Sequence, residues 1–129
     1  MRKVIGVTML LIGGILLSGC GDKKPGDVAK DFYVAMEKKD VDKAYKMLYL
    51  NDEDVNKELE VKGKLQMVVG EVSRKIENQG GTKNIEISKV KMGETTANVV
   101  LHVKFKNGTE KDESFNLRQK KDEWKVLLR

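Results

Sequence analysis

Among 129 residues there is one cysteine, one histidine, one proline and one tryptophan, and aromatic residues make up only 5%. A lone cysteine, Cys20, excludes an intrachain disulfide. Cys20 and the lone histidine, His102, fall short of the several His, Cys or carboxylate ligands at suitable spacing that a metal site needs, so no metal and no cofactor is expected. Asp52-Glu53-Asp54 lacks the glycine and periodic ligands of a calcium loop and reads instead as the charged start of a helix. There is no glycine-rich phosphate loop, because Gly80-Gly81 precedes a strand pattern rather than a helix. Blocks of like charge are missing too. The 25 basic and 20 acidic residues are interleaved, the pattern of a solvated surface and not of a nucleic-acid site.

What is present begins with the leader. Arg2 and Lys3 precede Val4 to Leu17, a run of 14 uncharged residues, shorter than the roughly 20 needed to cross a bilayer. A basic start, a short apolar centre and then the small residues Ser18-Gly19 have the layout of a secretory signal peptide. Leu17-Ser18-Gly19-Cys20 resembles the lipobox of bacterial lipoproteins. That resemblance implies a diacylglyceryl group on the Cys20 sulfur, cleavage before Cys20, and acylation (palmitate-type) of the new N-terminus. Two or more chains on one residue suffice for stable anchoring. Loss of residues 1–19 removes Arg2 and Lys3 and no acid, lowering the formal charge from +5 by two, to +3. The expected domains are a signal peptide over 1–19, a lipidated tether over 20–24 and one folded domain over 25–129.

The domain divides into a helical and a strand half. Pro25, tolerated at a first helical position, opens a helix expected over about 25–38, with Val28, Phe32, Ala35 and Met36 at helical spacing. Asp40 reads as the N-cap of a second helix ending near Leu50-Asn51. A third helical region starts near Asp52, with Gly63 expected to break or kink it. After Gly80-Gly81 the apolar period becomes two. Ile85 and Ile87 alternate, and Val90 and Met92 resume on the other parity, which predicts a bulge near Ser88-Lys89. Ala97 to Phe105 is the clearest strand, Asn107-Gly108 a hairpin signal, and strands around Phe115-Leu117 and Trp124-Leu128 complete the set. The fold class expected is α+β: N-terminal helices packed against a four-stranded antiparallel sheet.

Pro25, Val28-Ala29-Lys30-Asp31-Phe32 and Lys39-Asp40-Val41-Asp42-Lys43-Ala44, together with Ala97-Asn98-Val99, Phe105-Lys106-Asn107-Gly108-Thr109, Phe115-Asn116-Leu117 and Trp124-Lys125-Val126, resemble small bacterial lipoproteins carrying the DUF4878 domain. That group is similar to the NTF2-like, cystatin-like superfamily. The resemblance implies a curved sheet wrapped around helices as a cone, with room for a pocket.

Enzymes on such a fold place acids or histidines inside the cone. The inward positions read from the alternation are Ile85, Ile87, Val99, Leu101, Val103, Phe105, Phe115, Leu117, Trp124, Val126 and Leu128, none of which is titratable. No catalytic residue is therefore expected. His102 falls on the polar parity; Tyr33, Tyr45 and Tyr49 have the amphipathic form to line a pocket mouth, but helix-to-sheet packing is the favoured reading of the three. Phe32, Tyr33, Leu101, Val103 and Trp124 are the candidate pocket lining. The function expected is a non-enzymatic interaction or small-ligand-binding module of the cell envelope. Lipid on Cys20 would hold it to the cell membrane or outer membrane, facing the extracytoplasmic side. The partners expected are the membrane and an envelope protein or small apolar ligand, with no nucleic acid. The alternatives are an enzyme with a helix-borne acid or base, Asp31 and Tyr33 being the candidates, and a structural spacer.

Overall fold

The structure, a computed structural model, describes residues 23–128. The expected signal peptide, the expected lipobox (Leu17, Ser18, Gly19) and Cys20 lie outside the described residues. The chain forms α1 (Pro25–Glu37), α2 (Val41–Lys46), α3 (Asp52–Val55) and α4 (Glu58–Asn78), then β1 (Thr82–Met92), β2 (Thr96–Phe105), β3 (Glu110–Lys120) and β4 (Glu123–Val126). The strands make one curved antiparallel sheet in the order β1-β2-β3-β4, with the helices on its concave face.

α1 starts at Pro25 with Asp27 in its first turn, where a negative charge suits the helix dipole. Val28, Ala29, Phe32, Tyr33, Ala35 and Met36 are all buried. They cover more of the circumference than one interface occupies, because α1 packs against all four strands on one side and α2 and α4 on the other. Phe32 meets Phe115 of β3 edge-on, ring centroids 6.1 Å apart at 80°.

Asp40 does cap α2, its carboxylate accepting from the Lys43 amide at 3.1 Å. The helix ends at Lys46, however, rather than near Leu50. The next backbone groups are claimed by β4: the Val126 amide donates to the Met47 carbonyl at 2.8 Å, and the Tyr49 amide to the Val126 carbonyl at 2.7 Å. Covering a sheet edge outweighs continuing a helix here. The third helical region also differs from expectation. Its break falls at Asn56-Lys57, after the capping box of Asn51 and Asp54, while α4 runs unbroken through Gly63 and Gly70. Leu65, Val69, Ser73 and Ile76 bury one stripe of α4 against α1 and α2, and that gain exceeds the cost of two glycines. Buried Ser73 is satisfied locally, its hydroxyl donating to the Gly70 carbonyl at 3.2 Å.

The sheet follows the sequence alternation. A register shift lies between Ile87 and Lys89, as the parity change required, and it returns Val90 and Met92 to the face shared by Val99 and Ala97. Val99, Leu101 and Val103 are fully buried. Gly108 sits at φ 93° in the β2–β3 turn, and Asn107 there donates its side-chain amide to Gln79 Oε1 at 2.6 Å, tying the hairpin to the end of α4.

On the convex face, His102 lies between two carboxylates of β3: Nδ1 is 2.7 Å from Asp112 and Nε2 is 2.6 Å from Glu110. Glu86 of β1 stands opposite in register. Hydrogen bonding to Asp112, then to Glu110, holds the imidazole above its ordinary 6.5.

Two outcomes follow from this architecture. Gly63 and Gly70 have open space where a Cβ would stand, so Gly63→Ala and Gly70→Ala should each raise unfolding free energy by about 0.5–1 kcal/mol in urea titrations; a loss at Gly63 would mean that the helix breaks there after all. Because the folded-state value for His102 is raised, its contribution is complete below 6.5 and declines as pH rises through the folded value. In an NMR titration the His102 midpoint should lie above 6.5 and fall back toward it in Glu110→Gln/Asp112→Asn.

Candidate ligand cleft

β3 continues past the residues that α1 covers. Its concave positions run Leu117, Phe115, Glu113, Lys111, opposite Ala97, Val99, Leu101 and Val103 of β2. The first two are apolar and meet the core; the next two are charged. The sequence expectation that no titratable group faces inward therefore needs correcting: the parity was right, but the set of inward positions stopped at Phe115. Continuing the same alternation two steps earlier reaches Glu113 and Lys111. Neither stands out in sequence, because a charge at the end of a strand ordinarily reads as solvated surface.

These charges open onto a cleft between β3 and α4. One part, about 250 Å³, is lined by Tyr33, Val72, Ile76 and Phe105, with Lys75, Lys111 and Glu113 at its polar side. A second part, about 260 Å³, is lined by Phe32, Tyr33, Met36, Val68 and Val72 together with Glu113 and Phe115. Tyr33, Val72 and Glu113 belong to both, so the two volumes flank one partition. Glu113 is 3.4 Å from Lys111 Nζ, with 30% of its side chain exposed.

Tyr33 is 1% exposed, and its hydroxyl has no partner at ordinary hydrogen-bond distance; its polar neighbour is the buried Thr82 hydroxyl, which is likewise unpaired by that measure and interacts with it only weakly. Leaving a buried hydroxyl unpaired costs about 1–3 kcal/mol. Burial pushes the Tyr33 phenol up to about 12; the nearby Thr82 hydroxyl opposes this, and the carboxylates of Glu113 and Glu37 add to it. Glu37, one turn after Tyr33 on α1, accepts from the Thr82 amide at 3.2 Å. The phenol is thus a neutral donor at ordinary pH, beside a cleft with apolar walls and a charged rim.

Of the residues expected to line a pocket, Phe32 and Tyr33 stand in the cleft wall. Leu101 and Val103 are fully enclosed in the core, between β3 and α1, and Trp124 is half-buried at the β4 side of the sheet, outside both volumes. Asp31 faces away from the cleft, its carboxylate 2.7 Å from Lys23. Tyr45 lies under Lys62, and Tyr49 under Arg118 and Lys120. Among the described residues no group of three or more His, Cys, Asp or Glu is arranged to hold a metal ion. Nor is any described helix long and apolar enough to cross a membrane.

A search of curated proteins finds none that matches. Among solved structures, the chain is similar to a Campylobacter jejuni protein provisionally named an NTF2-like transpeptidase. The two are 27% identical with a TM-score of 0.73, over 83% of this chain and all of the other. Residues 18–127 match the profile of a domain of unknown function, DUF4878. With the helices-then-sheet order and the curved antiparallel sheet already described, the chain belongs to the DUF4878 family and has an NTF2-like fold.

Proposed function

We propose that this protein is a lipid-anchored, non-enzymatic binding module of the bacterial cell envelope that holds a small, mainly apolar ligand in the cleft between α4 and β3. The observation carrying the ligand reading is the cleft itself, with apolar walls and a charged rim, bounded by Tyr33, whose buried hydroxyl has no partner at ordinary hydrogen-bond distance. Buried polar groups are ordinarily paired, so the phenol is a donor that an acceptor entering the cleft would satisfy. A ligand with an apolar body and one acceptor atom would fit: the body against Val72, Ile76 and Phe105, the acceptor on the phenol. Lys75, Lys111 and Glu113 at the rim would favour a polar end near solvent.

The anchor reading is supported by the leader and by Leu17-Ser18-Gly19-Cys20. It places the domain on the extracytoplasmic side of the cell membrane or outer membrane. It also accounts for the lone cysteine, which as a free thiol in an oxidising compartment would be reactive.

The name of the Campylobacter jejuni protein favours one alternative, an enzyme with an acid or base in the cleft. Transfer through a covalent intermediate needs a nucleophile activated by an adjacent base. The cleft brings no such pair together among the described residues. The Ser73 hydroxyl is bonded to the Gly70 carbonyl, the Ser114 hydroxyl accepts from Asn98 at 3.0 Å, and His102 is held between carboxylates on the convex face. Tyr33, with its phenol pushed up to about 12, is a poor base at neutral pH.

Native purification followed by mass spectrometry of the released small molecules tests the ligand reading. A recurrent compound is expected, depleted in Tyr33→Phe. The same variant should unfold at higher denaturant when empty, by about 1 kcal/mol, because it removes an unpaired buried hydroxyl. A Tyr33→Phe protein that is less stable and retains the compound would contradict this assignment. For the anchor, intact-mass analysis of the mature protein should find residues 1–19 removed and Cys20 carrying diacylglyceryl; an unmodified Cys20 sulfur would sink it.

A further inference from the structure

Ile87, Val90 and Met92 leave 40%, 41% and 57% of their surface open, although their partners on β2, Leu101, Val99 and Ala97, are buried. All three stand on the concave side of β1, the bulge having returned the last two to that face. They form a strip along the edge of the sheet, which among the described residues has no strand on its outer side. One end of the strip meets the first turn of α1: a Cβ on Gly26 would come within 2.9 Å of Ile87 Cδ1. The other end borders a cavity of about 330 Å³ that Met92 shares with Gly93, Ala97 and Leu117.

Lysines flank the same edge: Lys89 and Lys91 alternate with Val90 and Met92 and so stand on its convex side, and Lys23 and Lys24 precede α1. From Ser88 to Met92 there is no acid; Glu86 and Glu94 lie on either side of that stretch. Lys23 is paired with Asp31, whereas Lys24, Lys89 and Lys91 form no ion pair with any carboxylate among the described residues.

We infer that this edge of β1, with the start of α1, is the face that lies against an anionic phospholipid surface. The inference rests on the lipid anchor proposed above and adds an orientation to it. Cys20 precedes Lys23 by three residues, so at most about 10 Å of extended chain separates the anchored residue from the first described one. The turn that follows sits on the Ile87 end of the strip. A short tether thus holds the edge at headgroup distance, and an edge with apolar side chains on one side and lysines on the other suits that boundary. A second copy paired edge to edge along β1 fits less well, because Lys83, Lys89 and Lys91 of both chains would be brought together. The cleft between α4 and β3 is left free.

Nitroxide labelling of the full lipidated protein tests this. Met92→Cys and Met67→Cys, the latter on the exposed face of α4 (76% open), are labelled singly and reconstituted in vesicles of phosphatidylglycerol and phosphatidylcholine. At position 92, collisions with an aqueous nickel quencher should fall severalfold relative to pure phosphatidylcholine vesicles, and those with oxygen should rise. Position 67 should not change. In Lys89→Glu/Lys91→Glu the protection at 92 should be lost, since each lysine near an anionic surface is worth about fivefold in affinity. A label at 92 as open to nickel as the one at 67 would overturn the orientation, as would protection persisting in pure phosphatidylcholine with concentration-dependent spin–spin broadening, the mark of a second copy. Label stoichiometry separates failure of the premise. One nitroxide per chain means that Cys20 is blocked, whereas two would mean that its sulfur is free, overturning the anchor and this proposal with it.

Discussion

The apolar residues of α1 occupy more of its surface than any single neighbour satisfies. Val28, Ala29, Phe32, Tyr33, Ala35 and Met36 are buried from two sides, by the concave sheet and by α2 and α4. The small residues Ala29 and Ala35, at 0% and 1% exposure, let the backbone approach both layers. Burying this set draws on apolar transfer of about 25 cal/mol per Å², and the sheet, α2 and α4 take their positions from α1. The sheet curves around it, α4 lies across it, and Gly26 fixes the entry of the chain against Ile87.

The cleft is a consequence of that arrangement. α1 is narrower than the sheet, and α4 packs on α1 and α2 rather than closing down on β3. The concave side of β3 is therefore apolar where it meets α1, at Leu117 and Phe115, and charged at Glu113 and Lys111. Tyr33 sits at the boundary with an apolar ring in the core and a polar tip that has no partner at ordinary hydrogen-bond distance. The same mismatch of widths acts at the opposite edge, where Ile87, Val90 and Met92 point inward but are not covered. Two open surfaces with different chemistry thus come from one packing limit.

Most of the element order was legible in the sequence. Pro25, Asp40, the bulge before Lys89, the Asn107-Gly108 turn and the alternation from Ala97 to Phe105 each mark their feature by local rules. What misled was also local. Gly63 looked like a break because glycine weakens an isolated helix, but the stripe Leu65, Val69, Ile76 is buried by distant residues. α2 looked longer because Leu48 continues its apolar stripe, yet Leu48 pairs with Val126, far along the chain. Phe32 and Tyr33 could be picked out as cleft residues, whereas Glu113 could not, because its inward direction depends on register and its openness on where α4 stops.

Composition and periodicity by themselves determined the class of this fold: helices followed by an antiparallel meander, with an apolar face on each. Those properties follow from side-chain volume, charge and backbone preference, which act over a few residues. Only tertiary structure decided which backbone groups cover the β4 edge, which inward positions stay open, and that the Tyr33 hydroxyl is enclosed without a partner. These depend on the distance between elements, and that is set by the sum of packing contacts around α1, which no local window of sequence contains.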